Sequence, residues 1–295
     1  MTDPRFTVVG MRPAAAAPAP KKTKTRGRRP VLAAALLLLI LLGCIFAGLL
    51  TAKDPAYMDL EHYSAPPSRE FPFGSDSLGR DIFSMIWYGG RVSLLIGLLS
   101  AAISAGLAIL FGALSGMAPA WLDALLMRCT EILLSVPNLL LVLFLQSILG
   151  EANVLSLSLV LGVTGWMSMA KVVRTEVRQL RSADFVTASK CMGGGFFHVL
   201  GAHLTPNFLP SILFMAVMNI RSAIVAESTL SFMGIGLPLE IISWGSMLSL
   251  AELAMMSGAW WIIVIPGAFL VVTLLCVTEL ANALRKSLSS RHSNL

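Results

Sequence analysis

The chain has 295 residues, of which 56% are hydrophobic and only 13% are charged. This composition, with a mean hydropathy of +0.79, excludes an ordinary soluble domain, in which about a quarter of the residues are charged. It predicts an all-α, polytopic membrane protein. The net charge of +6 needs no nucleic-acid partner, because a basic face at the inner membrane surface accounts for it.

Residues 1–30 combine the segment RPAAAAPAP with the basic run KKTKTRGRR and show no periodicity. We therefore predict a disordered basic tail. The uncharged run that follows, residues 31–52, is predicted to be the first membrane span. A cleaved signal peptide is the competing interpretation, but this run is longer than a signal h-region.

The remaining apolar runs complete one transmembrane domain that extends from residue 31 to residue 295, with no second soluble domain. The predicted spans are residues 31–52, 92–118, 132–149, 154–173, 208–233 and 261–280. Six spans place both chain termini on the same side of the membrane.

The distribution of Lys and Arg predicts which side that is. Eight basic residues lie in the N-terminal tail, five in residues 171–190 and three in the C-terminal tail, whereas residues 234–260 contain none. Under the positive-inside rule, both termini and the segment 174–206 are cytoplasmic.

The long connection between the first two predicted spans contains Asp76, Arg80 and Asp81 in an acidic loop. We predict a structural role, in which Asp76 caps backbone N–H groups while Gly74 and Gly79 permit turns. A membrane enzyme that uses these carboxylates is an alternative, although His62 alone among nearby residues offers a base or nucleophile.

Three arginines, Arg174, Arg178 and Arg181, recur at i, i+4 and i+7 after the fourth span. This spacing predicts one stripe of a helix that continues out of the membrane, with the arginines at the headgroup level. Downstream, His198 and His203 are five residues apart, which is a poor spacing for a shared α-helical face. Neither these histidines nor the four scattered cysteines form a predicted metal site.

A short amphipathic helix is predicted next. It begins near Asp184, a plausible N-cap, and Phe185, Ala188 and Met192 form its apolar face. Gly193 and the two glycines after it end the helix. A second short helical stretch, residues 196–204, then leads to Pro206 and the fifth span. An interfacial helix that lies on lipid is the alternative.

The segment resembles the EAA loop of ABC importer permeases, whose pattern is E-A-A, three residues, G, nine residues and I-x-L-P. Thr187-Ala188-Ser189, Gly193 and His203-Leu204-Thr205-Pro206 reproduce that spacing. Thr187 stands where the consensus has Glu. We call residues Asp184 to Pro206 the EAA-like segment.

Three further blocks resemble the C-type permease of the dipeptide, oligopeptide and nickel importer family. FGSDSLGRDIFS with YGGRVSL is similar to LGTDxLGRDxxSRxxYGxRxSL, and ESTLSFMGIG with SWGSML is similar to EASLSFLGLG…WGxML. Pro266-Gly267 and Asn282-Ala283-Leu284-Arg285 are similar to the PG…GDALRD ending, with Asn282 and Lys286 at the Asp positions.

This resemblance implies the type I importer permease fold in a bacterial or archaeal cytoplasmic membrane. It also implies a second, B-type permease, two cytoplasmic ATPase subunits and an extracytoplasmic substrate-binding protein. The chain has no P-loop, so ATP and Mg²⁺ are expected on the partners and no cofactor on this chain. The residues expected to couple to the ATPase are Asp184, Phe185, Thr187, Ala188, Ser189, Met192, Gly193 and Pro206.

Arg221 and Glu227 lie within the fifth predicted span, where ionisable groups are costly and face a bundle interior or water. They are candidate pathway residues, or each has a partner on a neighbouring span. Six residues apart, they are not expected to pair with each other.

The predicted substrates are di- or oligopeptides. A nickel or metal-chelate importer is the alternative within the family, and an ion-coupled carrier or channel is an alternative outside it.

Overall fold

The computed structural model describes residues 29–250, 254–255 and 258–292, without the side chains of residue 29 and residues 288–292. Most of the predicted N-terminal tail therefore lies outside the described residues. Arg29 and Pro30, the last two residues assigned to that tail, already belong to the first helix.

The described chain is built from α-helices. They are α1 (Arg29–Ile45), α2 (Ala47–Leu50), α3 (Ile82–Met117), α4 (Ala120–Ser135), α5 (Asn138–Leu149), α6 (Val154–Leu180), α7 (Asp184–Cys191), α8 (Phe196–His198), α9 (Thr205–Phe232), α10 (Trp244–Leu248) and α11 (Trp261–His292). A 3₁₀-helix covers Leu60–His62 and a π-helix covers Val199–Leu204. The predicted all-α fold is confirmed.

Within the described residues, four helices are long and apolar enough to cross a membrane: Ile82–Met117, Val154–Leu180, Phe196–Phe232 and Trp261–Ser287. A fifth span is present if α4 and α5 count together, and α1 is a shorter apolar helix. The chain is thus a multi-pass membrane protein. The count of six spans and their predicted limits remain a prediction.

The predicted span at residues 132–149 is not one continuous helix, because it includes the break between α4 and α5, which meet at an angle of 94°. The bend falls at Val136 and Pro137. Proline has no N–H to continue the helical hydrogen bonds, and it disfavours helical geometry in the residue before it. Val136 is accordingly extended, with φ −80° and ψ 130°.

Helix α3 begins ten residues before the predicted span, at Ile82. Asp81 caps it, because its Oδ2 accepts hydrogen bonds from the backbone N–H and the hydroxyl of Ser84, at 3.0 and 2.5 Å. Asp76 accepts the N–H groups of Leu78 and Arg80, at 2.9 and 2.8 Å. The predicted capping role of Asp76 is confirmed.

Close packing of α3 against α6 forms the centre of the bundle. Small residues recur every four positions along one face of α3, at Ser100, Ser104, Ala108, Gly112 and Gly116, and all are buried. A Cβ atom at Gly112 would lie 2.6 Å from the carbonyl oxygen of Ala170. In membranes such small residues let helix backbones approach closely, and the attraction is then mainly van der Waals contact.

Three buried apolar clusters hold the helices together. The first joins α1, the start of α3, α10 and α11; the second joins α3 and α6 to α7 and the start of α9; the third joins α3, α5, α6 and α9. The second cluster lies at the end of the bundle that carries the EAA-like segment. It connects that segment to three long helices, α3, α6 and α9.

Candidate functional site

The EAA-like segment folds as a short helix, a glycine corner and a second helical stretch. Helix α7 ends in a Schellman motif: the N–H of Gly194 bonds to the carbonyl of Ser189 at 2.9 Å, and the N–H of Gly193 bonds to that of Lys190 at 3.0 Å. Gly193 has a φ of +88°, which residues with a Cβ rarely adopt. The predicted glycine stop is confirmed.

The start of α7 differs from the prediction. Its N-cap residue is Ala183, which makes no side-chain capping bond, and Asp184 lies in the first turn instead. A carboxylate there still favours the helix, because the N-terminal end of a helix dipole is positive.

The apolar face of α7 also differs from the prediction. Val186 is fully buried and Ser189 is 3% exposed, whereas Phe185 is 43% and Met192 83% exposed. Helix α7 therefore presents two sides. Val186 anchors it in the second apolar cluster beside Val177 and Leu204, whereas Phe185 is partly exposed and its ring lies 6.2 Å from that of His203.

The other predicted coupling residues lie at the surface. Asp184, Thr187, Ala188, Gly193 and Pro206 are all exposed, and Ser189 is the buried exception. Pro206 does not separate two helices, because the chain is helical without interruption over Phe196–Phe232. The π-helix ends directly before α9, whose second residue, Pro206, has no N–H to bond a preceding carbonyl.

The π-helix also corrects the prediction that His198 and His203 share no face. Their ring centroids lie 5.7 Å apart in an edge-to-face arrangement, because a π-helix places residues five apart on one side. They border a cavity together with Gly193 and Met192. Within the residues that the structure describes, no group of three or more His, Cys, Asp or Glu side chains is placed to hold a metal.

The arginine stripe does not extend freely from α6. Arg174 and Arg178 both bind Asp123 at the start of α4, with contacts of 2.5 and 2.7 Å, and Arg181 donates to the carbonyl of Gly116 at 3.3 Å. The expected local pair of Arg128 and Glu131 is present at 3.2 Å.

Glu227 lies at the opposite end of the bundle and is fully buried. Its carboxylate accepts hydrogen bonds from four hydroxyls at 2.6 to 3.4 Å, those of Ser243, Ser231, Ser93 and Ser228. Sequence reasoning missed these serines, although each lies in one of the blocks quoted above. We call the five residues the Glu227 cluster.

The Glu227 cluster attaches the start of α10 to the long helices. Ser243 caps α10 through the N–H of Ser246 at 2.9 Å, and Ser93 on α3 accepts the N–H of Trp244 at 3.2 Å. A Cβ atom at Gly245 would lie 2.8 Å from the Glu227 carboxylate. The cluster therefore joins α3, α9 and α10 through polar bonds in an otherwise apolar region.

Arg221 does not pair with Glu227, as expected from their spacing. Its side chain is partly buried, and its Nε has no hydrogen-bond partner among the described residues. A guanidinium nitrogen without a partner is costly inside a membrane, so Arg221 is a candidate for binding a group outside the described residues.

A family comparison decides the class of the protein. Residues 108–291 match the model of the binding-protein-dependent transport system inner membrane component. The chain belongs to this family. Membership confirms the predicted ABC importer permease and makes the chain a transport component of a membrane complex.

Three relatives are similar in sequence to this chain over most of their length. The chain is 32% identical to the dipeptide transport system permease protein DppC of Bacillus subtilis over 256 residues, which cover 87% of this chain and 80% of the relative. It is 33% identical to the oligopeptide transport system permease protein OppC of the same organism, covering 87% and 83%. A putative peptide permease protein of Brucella ovis is also 33% identical, covering 80% and 78%.

Proposed function

We propose that the chain is the C-type permease subunit of an ATP-driven importer of di- or oligopeptides. It forms half of the translocation pathway and transmits ATPase closure to it. Peptide is the substrate class because the similar permeases of Bacillus subtilis are named for dipeptide and oligopeptide transport. Nickel or a metal chelate is the alternative cargo within the family.

The partners in this proposal are a B-type permease, two cytoplasmic ATPase subunits and an extracytoplasmic binding protein. ATP and Mg²⁺ are bound by the ATPase subunits. Both termini and the EAA-like segment face the cytoplasm, since the basic residues concentrate there.

One observation carries the coupling role: α7 is anchored by a buried apolar residue and leaves the apolar residue beside it partly exposed. Val186 is fully buried and Phe185 is 43% exposed, although the two are adjacent in sequence. Val186 packs with Val177 of α6 and Phe208 of α9. A displacement of α7 by an ATPase is therefore passed to two long helices at once, because packed apolar contacts transmit displacement.

The decisive experiment places a charge on the exposed side of α7. Phe185→Glu is expected to release the ATPase subunits from the purified complex and to abolish ATP-driven peptide uptake in proteoliposomes, while the two permeases stay together. Phe197→Glu is the matched control, because Phe197 is also an exposed aromatic (76%) but lies outside α7. Uptake without any ATPase subunit would refute the importer assignment, and flux through the purified chain alone would favour a channel or carrier.

A further inference from the structure

A cavity of about 330 Å³ lies between α5, α6 and α9, at the bend that separates α4 from α5. Its volume falls within the range of about 300–1,000 Å³ that is typical of small-molecule sites. Its polar lining comes from Asn138, Thr164, Ser168, Asn219 and Ser222. All five lie inside predicted membrane spans.

Three of these polar residues, Asn138, Ser168 and Ser222, are exposed on the isolated chain. Exposure of an amide and two hydroxyls to hydrocarbon is unfavourable, because lipid offers them no hydrogen-bond partner. This face is therefore not a lipid-facing surface. Water, a solute or another polypeptide must lie against it.

The broken helix supplies further donors. Helix α5 begins at Asn138, which lines the cavity, and no side chain caps it, so the first N–H groups of the helix and the positive end of its dipole lie at the edge of the cavity. In transporters, interrupted spans are where substrates bind at membrane depth. The cavity thus combines an uncapped helix N-terminus at its edge with side chains that both donate and accept.

None of the described residues that line the cavity is charged, and three are methionines: Met169, Met215 and Met218. Asn and Ser can match the alternating N–H and C=O groups of a peptide backbone. Methionine adapts to side chains of different shapes. An uncharged, adaptable lining suits a cargo whose backbone is constant and whose side chains vary.

We propose that this cavity is a peptide-binding site on the translocation pathway. The site binds the backbone of the peptide and accepts side chains of either charge. The proposal rests on the proposed importer function and adds to it the location and chemistry of the site. The B-type permease closes the open side.

The test introduces opposite charges at Ser222 in the complete complex, reconstituted with its ATPase subunits and binding protein. Uptake of lysyl-alanine and glutamyl-alanine is measured and normalised to the loading of the binding protein, which no substitution alters. Ser222→Asp should raise the ratio of lysyl to glutamyl uptake by about tenfold, and Ser222→Lys should lower it to a similar degree, because charges in a poorly solvated site interact strongly.

Ser147→Asp and Ser147→Lys are the matched controls, since Ser147 is exposed on α5 but outside the cavity. An unchanged ratio in both Ser222 variants, or equal shifts in the Ser147 variants, would overturn the proposal. A wild-type complex that carries neither peptide would instead count against peptide import itself.

If the charged variants fail to assemble, a Ser222→Cys variant is used instead. Its exposed cysteines, Cys129 and Cys191, are first replaced by serine. Positively and negatively charged methanethiosulfonates then supply the two charges after assembly. Opposite shifts in the uptake ratio support the site, and identical ratios after both reagents overturn it.

Discussion

Arg174 binds Asp123 in a bidentate arrangement, with Nη2 2.6 Å from Oδ2, and so joins the last turns of α6 to the first turn of α4. Arg178 and Ser115 bind the same carboxylate at 2.7 and 2.5 Å. One carboxylate therefore ties together α3, α4 and α6, at the end of the bundle that carries the EAA-like segment.

Replacing this carboxylate should destabilise the chain. Asp123→Ala removes the acceptor for two guanidinium groups and a hydroxyl, and Asp123 is only 5% exposed. We expect a loss of about 2 kcal/mol, less than for a fully buried pair because both arginines are partly exposed. Thermal unfolding of the purified complex in detergent measures it.

Glu131→Ala is the control for this prediction, since Glu131 pairs with Arg128, whose side chain is 80% exposed. Its loss should cost less than about 0.5 kcal/mol. Equal melting temperatures for the two variants would contradict the prediction, because the Asp123 contacts would then stabilise the chain no more than an exposed ion pair does.

The Asp123 site shows where sequence patterns stop being informative. The i, i+4, i+7 spacing of Arg174, Arg178 and Arg181 indicated a shared helical face, which is local geometry. It did not indicate what covers that face, because the partner carboxylate lies 51 residues away from Arg174. Polar partners across helices depend on tertiary packing, so the sequence suggested headgroups instead.

The same limit applies to Glu227 and α7. Composition and apolar run length correctly gave an all-α membrane fold, and glycine and proline positions indicated the corner at Gly193. The four serines around Glu227 come from three separate helices or their caps, so no local spacing reveals them. The buried face of α7 was misjudged by one residue, from Phe185 to Val186, because only the packing of α6 and α9 distinguishes the two sides.

The glycine corner after α7 should be necessary for coupling. Gly193→Ala forces a side chain into a left-handed conformation at a cost of about 1–2 kcal/mol, although a Cβ at Gly193 would meet no atom within 4 Å. We expect ATP hydrolysis to continue in the complex with reduced peptide uptake per ATP. The measurement is the ratio of the two rates in proteoliposomes.

Gly195→Ala is the control for the corner, because a Cβ there is also free of contacts and its φ is −73°. It should leave the ratio unchanged. A similar loss in both variants would mean that the segment tolerates no added side chain, whatever its backbone conformation.

The Glu227 cluster should matter for holding α10 and the residues before it, 234–250, in place. Glu227→Leu leaves four hydroxyls without their shared acceptor in a region from which water is excluded, and each unsatisfied buried group costs about 1–3 kcal/mol. Limited proteolysis of the assembled complex should then cut within residues 234–250 at least several times faster. Thr229→Leu on the same helix is the control, because its hydroxyl bonds only to the carbonyl of Val225. An unchanged cleavage rate for Glu227→Leu would contradict the attachment role.

The small-residue face of α3 should be intolerant of larger side chains. Gly112→Leu places a side chain where even a Cβ would lie 2.6 Å from Val173 and from the Ala170 carbonyl, so α3 and α6 must separate and lose contacts along their length. We expect little assembled complex by size-exclusion chromatography.

Gly106→Leu is the matched control, because Gly106 lies on the same helix, is exposed, and a Cβ atom there would meet no atom within 4 Å. It should gain slightly in stability, since leucine favours helix more than glycine by about 1 kcal/mol. Normal assembly of the Gly112 variant would show that close approach of α3 and α6 is dispensable.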